Sequence, residues 1–171
     1  MKFKTIKIFI LICCFLISGI INSLAELSEE KWNYFCSEVN KNDCSITIAS
    51  FVENDGVATT QTLGTVYLKF GTNSEKKKIP VLFVDLPLNV DLRINPLVVV
   101  NKKKIVNLNF MNCNQNIGCN SMKVINEEVV EIFKKADFVS IYFKAAGSSK
   151  NLEMKFPLKG FTKSYKKLSK I

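Results

Sequence analysis

Three serine-lysine pairs and one pair of aspartates are the residues whose types and spacing could do chemistry. In Ser28-x-x-Lys31, Ser74-x-x-Lys77 and Ser164-x-x-Lys167 a lysine stands where it could take a serine proton. Asp85 with Asp91 has the look of a carboxylate pair that could hydrolyse a glycan. The 171 residues include no histidine. That excludes imidazole-based triads, imidazole general bases and histidine-ligated metals. Beyond residue 25 there are 11 serines and 20 lysines, which predict about 1.5 serine-lysine matches by chance, so three carry little weight. Asp85 and Asp91 flank a turn around Pro87 and Asn89, where aspartate is at home without catalysing anything. No glycine-rich phosphate loop is present. The reading is a protein that is not an enzyme and takes no cofactor, with a carboxylate- or Ser/Lys-based hydrolase as the alternative.

The cysteines carry a different chemistry. Met1 to Ala25 has a basic head (Lys2, Lys4, Lys7), an apolar stretch from Ile8 to Ile21 and a small-x-small site at Ser23-Leu24-Ala25. This is the pattern of an export signal. Cleavage there takes away 25 of the 171 residues and leaves 146, one domain's worth, in residues 26–171. Three lysines and no acid leave with it, so the net charge falls from +9 to +6. No membrane span is expected in what remains. Cys13 and Cys14 go with the signal, and Cys36, Cys44, Cys113 and Cys119 stay in an oxidising compartment. Four cysteines allow three connectivities; the short spacings favour Cys36 to Cys44 and Cys113 to Cys119. Neither pair has the spacing of a zinc knuckle and no C-x-x-C occurs, so no metal and no redox role is read.

These residues must be positioned by short strands. Trp32, Tyr34 and Cys36 alternate with Asn33 and Phe35, and Cys44 to Val52 alternates up to a turn at Asn54-Asp55-Gly56. Thr62 to Phe70 places Val66, Leu68 and Phe70 on one face, and Ile79 to Val84 is a nearly continuous apolar run whose Pro80 marks an edge or a strand beginning. Leu97 to Val100 and Ile105 to Phe110 flank the turn Asn101 to Lys104. The period then becomes helical: Ile125, Val129, Ile132, Phe133 and Ala136 share a face, with Asn126 as the cap. Phe138 to Lys144 and Asn151 to Phe156 predict a hairpin with Leu152, Met154 and Phe156 inward, and Phe161, Tyr165 and Leu168 predict a terminal helix. The fold class is mainly β: a compact β-sandwich or barrel-like single domain with two short helices and two local disulfides.

Candidate contact residues lie on turns. Asn114, Gln115 and Asn116 sit at the polar tip between Cys113 and Cys119, and Lys102, Lys103 and Lys104 form an exposed basic turn. Two more basic clusters are Lys76 to Lys78 and the terminal helix with Lys159, Lys163, Lys166, Lys167 and Lys170. Solvated turns explain them, and attraction to an anionic envelope or host surface is the functional alternative. Nucleic acid is not expected as a partner. Of the aromatic cluster Trp32, Tyr34 and Phe35, Phe35 falls on the opposite strand face and is expected to be exposed.

In order along the chain stand Trp32-x-Tyr34-x-Cys36, Leu86-Pro87-Leu88-Asn89-Val90-Asp91-Leu92, Phe110-x-x-Cys113 with Gly118-Cys119, and Leu158-Lys159-Gly160-Phe161. With this ordered set the chain resembles the invasion-associated locus B family of exported bacterial proteins. It departs from that pattern at Asn89, where the family usually has glycine, at Asn120-Ser121, where a small residue such as alanine is common, and at Pro157, where serine is usual. The resemblance implies a periplasmic, outer-membrane-associated or secreted protein, in a family named for host-cell entry and without established catalysis. The expected function is therefore binding at the cell envelope or at a host surface. A soluble periplasmic accessory or stress protein is the alternative.

Overall fold

Alternating apolar residues favour strands, because each strand can bury one side and wet the other. The computed structural model describes residues 31–54 and 57–171, with the side chains of all of these except 51–62. The proposed signal segment Met1 to Ala25, Ser28 and the turn residues Asp55 and Gly56 lie outside the described residues. In chain order the elements are β1 (Asn33–Cys36), β2 (Cys44–Asn54), β3 (Val57–Thr72), β4 (Lys78–Leu86), β5 (Leu97–Val100), β6 (Lys103–Asn107), β7 (Asn109–Asn114), β8 (Gly118–Val124), α1 (Glu127–Lys135), β9 (Phe138–Lys144), β10 (Asn151–Pro157) and α2 (Phe161–Leu168).

The strands form two antiparallel sheets, ordered β1-β2-β3-β4-β8-β7 and β10-β9-β5-β6. They make a sandwich and not a closed barrel. Register explains the shared core. Ile46 pairs with Leu68 and Leu68 with Leu82, so three fully buried aliphatics line one row of the larger sheet. Val98, Val139, Ile141, Met154 and Phe156 face them from the smaller sheet. Each such side chain contributes roughly 1.5–3 kcal/mol by leaving water. Gly64 allows the close approach: a Cβ there would lie 2.8 Å from the Met154 side chain and 2.7 Å from the Asp85 carbonyl.

The stretch Ile105 to Phe110 is not the single strand its apolar run suggests. At Leu108 the chain leaves β6 in one sheet and enters β7 in the other. Leu108 is fully buried at this crossing, and its N–H donates to the Pro96 carbonyl at 2.8 Å. Pro80 stands at the beginning of β4, an interior strand, and its carbonyl accepts from the N–H of Ile125 at 3.0 Å. Leu152, expected inward, is 43% exposed. It pairs with Phe143, which is buried, and stands near the start of edge strand β10, where a strand has a neighbour on one side only.

The helices close the remaining sides. Asn126 Oδ1 accepts from the N–H of Val129 at 3.0 Å and caps α1, whose first turn holds Glu127 and Glu128 and whose last holds Lys134 and Lys135, the order that suits the helix dipole. Val130 and Phe133 are its buried residues, so the inward face is turned slightly from the one through Val129 and Ile132. In α2, Phe161, Ser164, Tyr165 and Leu168 are buried. Among the described residues no helix is long and apolar enough to cross a membrane.

Candidate binding cleft

Two disulfides lie directly across hairpin ladders. Cys36 is bonded to Cys44, its partner between β1 and β2, and Cys113 to Cys119 between β7 and β8. The second holds the polar tip that leads from β7 into β8. Within that tip Asn114 Oδ1 accepts from the N–H groups of Asn116 and Ile117, both at 3.0 Å, so the loop is shaped by its own side chain. Gly118 completes the turn with φ of 84°, and a Cβ there would meet the Leu86 carbonyl.

The tip overhangs a cleft of about 520 Å³. Gln115, Asn116 and Ile117 line it from the tip, Leu63 and Thr65 from β3, and Asp85 from β4. Asp85 is half-buried because the ladder places it between Thr65 and Asn120. The Asn120 amide donates to Asp85 Oδ1 at 2.6 Å and to the Tyr67 hydroxyl at 2.8 Å. Burial pushes the Asp85 carboxyl above the ordinary carboxylate range, while the Asn120 amide acts in the opposite direction. Burial, and then the nearby Asp85 charge, push the Tyr67 phenol up as well. Tyr67 stacks on Phe83, ring centres 4.8 Å apart. The result is a hollow of mixed polarity in which Thr65, Asp85, Gln115 and Asn116 supply the polar side chains and Leu63, Leu86, Leu88 and Ile117 the apolar ones.

Asp91 has a separate task. Its carboxylate accepts from Arg93 Nε and Nη2, both at 2.8 Å, and from the Arg93 N–H at 3.1 Å. The Arg93 hydrogen bonds hold its pKa down at about 2. Asp91 N–H donates to the Lys144 carbonyl at 2.7 Å, which ties this loop to the end of β9. Ser164 is likewise committed: its hydroxyl is buried and donates to the Trp32 carbonyl at 2.8 Å, while Lys167 faces water. Ser74 lies in the exposed turn between β3 and β4.

The contact residues read from the sequence fall into two places. Gln115 and Asn116 line the cleft, and Asn114 serves the tip's own geometry. Lys102, Lys103 and Lys104 are exposed on the other sheet, where Lys102 borders a hollow of about 300 Å³ with Ser140, Glu153 and Lys155. Asn101 and Lys102 make the sharp turn there, with φ of 50° and 63°. Phe35 is 60% exposed and Trp32 is buried. The Tyr67-Asn120-Asp85 cluster escaped sequence reasoning. Its members lie on three strands, and only the register between them brings their side chains together.

A family model described as Invasion associated locus B (IalB) protein matches residues 32–169. The chain belongs to this family. Its fold is that of the crystal structure of invasion associated protein b from Bartonella henselae, with a TM-score of 0.64 at 15% identity over 81% of this chain and 92% of that one. Comparison with curated protein sequences gives no match. Among the departures from the invasion-associated locus B pattern, Asn89 has φ of 71°, the left-handed conformation in which glycine is at ease and asparagine is tolerated. Pro157 sits at the end of β10, and its carbonyl accepts the Trp32 indole N–H at 2.9 Å.

Proposed function

We propose that this invasion-associated locus B protein is exported to the cell envelope or beyond it and acts there by binding. The observation that carries this reading is the disulfide-held tip, Asn114 to Gly118, standing over a cleft of mixed polarity. A loop held by the bridge and by Asn114, with Gln115 and Asn116 lining the cleft, pays little ordering entropy when it meets a ligand. Asp91 is held by Arg93 outside the cleft, which supports a contact role over a pair of carboxylates working together. The export pattern in Met1 to Ala25 and the four paired cysteines support a location in an oxidising compartment.

The test is fractionation of native cells into cytosol, periplasm, inner membrane, outer membrane and medium, with and without a high-salt wash. Recovery with the outer membrane or in the medium, released by salt, is expected. Recovery in the cytosol would overturn the reading. A soluble periplasmic pool insensitive to salt would replace it with an accessory role, for which the two disulfides serve equally well.

A further inference from the structure

The strands of the larger sheet give the molecule two unlike ends. The cleft lies where β4 finishes and β8 begins. At the other end of β4, about 26 Å away at ~3.3 Å per residue, the structure gathers the loop between β1 and β2, the turn between β3 and β4, and the last turn of α2. Asn42, Cys44, Thr72, Lys78, Leu168 and Ile171 line one small hollow there of about 150 Å³. Lysine clusters that are about 90 residues apart in the chain therefore share a surface: Lys76 to Lys78 with Lys167 and Lys170, joined by Lys41.

This end is basic in a specific way. Asp43 and Glu75 are already paired, with Lys69 at 3.4 Å and with Lys77 at 2.9 Å, and Glu38 is the other acid on these loops. Among the described residues no ion pair engages Lys41, Lys76, Lys78, Lys167 or Lys170. The helix α2 carries no acid, and its solvent side shows Lys163, Lys166 and Lys167. Amid these charges Val39 is 98% exposed. Its loop is held by backbone bonds from Ser37 N–H to the Asp43 carbonyl at 3.0 Å and from Asp43 N–H to the Asn40 carbonyl at 2.8 Å, so the apolar tip is built into the fold.

We propose that this end docks the protein on an anionic phospholipid surface, with the lysines on lipid phosphates and Val39 in the headgroup layer. An acidic polymer would satisfy the lysines but offers nothing to an apolar tip; a bilayer serves both. Docking this way turns the cleft outward, away from the membrane. The inference rests on the envelope location proposed above, but its test is independent of where cells keep the protein.

Protein purified from cells expressing the full chain is sedimented with phosphatidylcholine vesicles that do or do not contain phosphatidylglycerol. Binding to the anionic vesicles alone, weakening with salt, is expected. The triple variant Lys78→Gln, Lys167→Gln, Lys170→Gln should lose affinity on the order of a hundredfold, at about fivefold per lysine. The control Lys102→Gln, Lys103→Gln, Lys104→Gln removes the same charge from the other sheet and should change it by less than about fivefold. Val39→Ser should cost about tenfold with unchanged circular dichroism. Equal losses from both triple variants, no effect of Val39→Ser, or binding to heparin without binding to vesicles would each overturn the proposal. If fractionation finds the protein in the cytosol, the envelope reading fails while the vesicle result stands or falls on its own.

Discussion

The indole N–H of Trp32 donates to the main-chain carbonyl of Pro157 across 2.9 Å, joining residues 125 positions apart. The bond ties the entry of the first strand to the end of the last. Phe161 meets the Trp32 ring edge-on at 5.0 Å, and the Ser164 hydroxyl donates to the Trp32 carbonyl, so α2 is fastened at the same point.

Trp32→Phe keeps the ring contact but leaves the Pro157 carbonyl without its donor. The expected cost is roughly 1–3 kcal/mol in urea unfolding followed by circular dichroism. Ser164→Ala should cost about 1 kcal/mol and keeps the chain's one tryptophan, so its unfolding can be read by fluorescence. A cost near zero for both would mean that this junction does not hold the terminal helix.

The two aspartates should respond to acid in opposite directions. Asp91 has its pKa lowered from 3.8 to about 2 by the Arg93 hydrogen bonds. Its contribution is complete above the unfolded value and is lost as pH falls from about 4 towards 2. The Tm gap between wild type and Asp91→Asn should therefore be constant above about pH 4 and shrink below it. Asp85 is pushed up by burial, so in its case proton uptake favours the folded state. Asp85→Asn should raise Tm at neutral pH, and the advantage should fade as pH falls through the Asp85 pKa. Thermal unfolding across pH checks both; a gap that widens in acid for Asp91→Asn would contradict the ion-pair assignment.

The bridge at the cleft closes a short loop. In the chain-entropy view the paired replacement Cys113→Ala, Cys119→Ala should cost about 2 kcal/mol. Because the tip is also shaped by Asn114, hydrogen exchange should rise first at Gln115 to Gly118 and leave β4 protected. Uniform loss of protection over the larger sheet would show that the bridge supports the core and not the tip alone.

The fold class was legible from alternation along the strands and from a change to helical period at Ile125, because burying one face imposes those periods on any chain. The strand break at Leu108 was not legible: nothing local distinguishes a buried leucine within a strand from one at a crossing between sheets. The exposure of Leu152 was hidden for a related reason. Its alternation is that of an inward residue, and only the order of strands shows that it stands on the edge of its sheet.

By itself the sequence determined the mainly β character, the absence of imidazole chemistry and the cap at Asn126, and its short spacings favoured the local cysteine pairing, all consequences of residue type or close position in the chain. The tertiary structure decided the rest. Register across three strands brought Tyr67, Asp85 and Asn120 together, and strand direction put the cleft at one end of the larger sheet and the Lys76 to Lys78 turn, with the end of α2 beside it, at the other. Such relations depend on which strands are neighbours, and pairing between residues distant in the chain is set by the packing of the whole core.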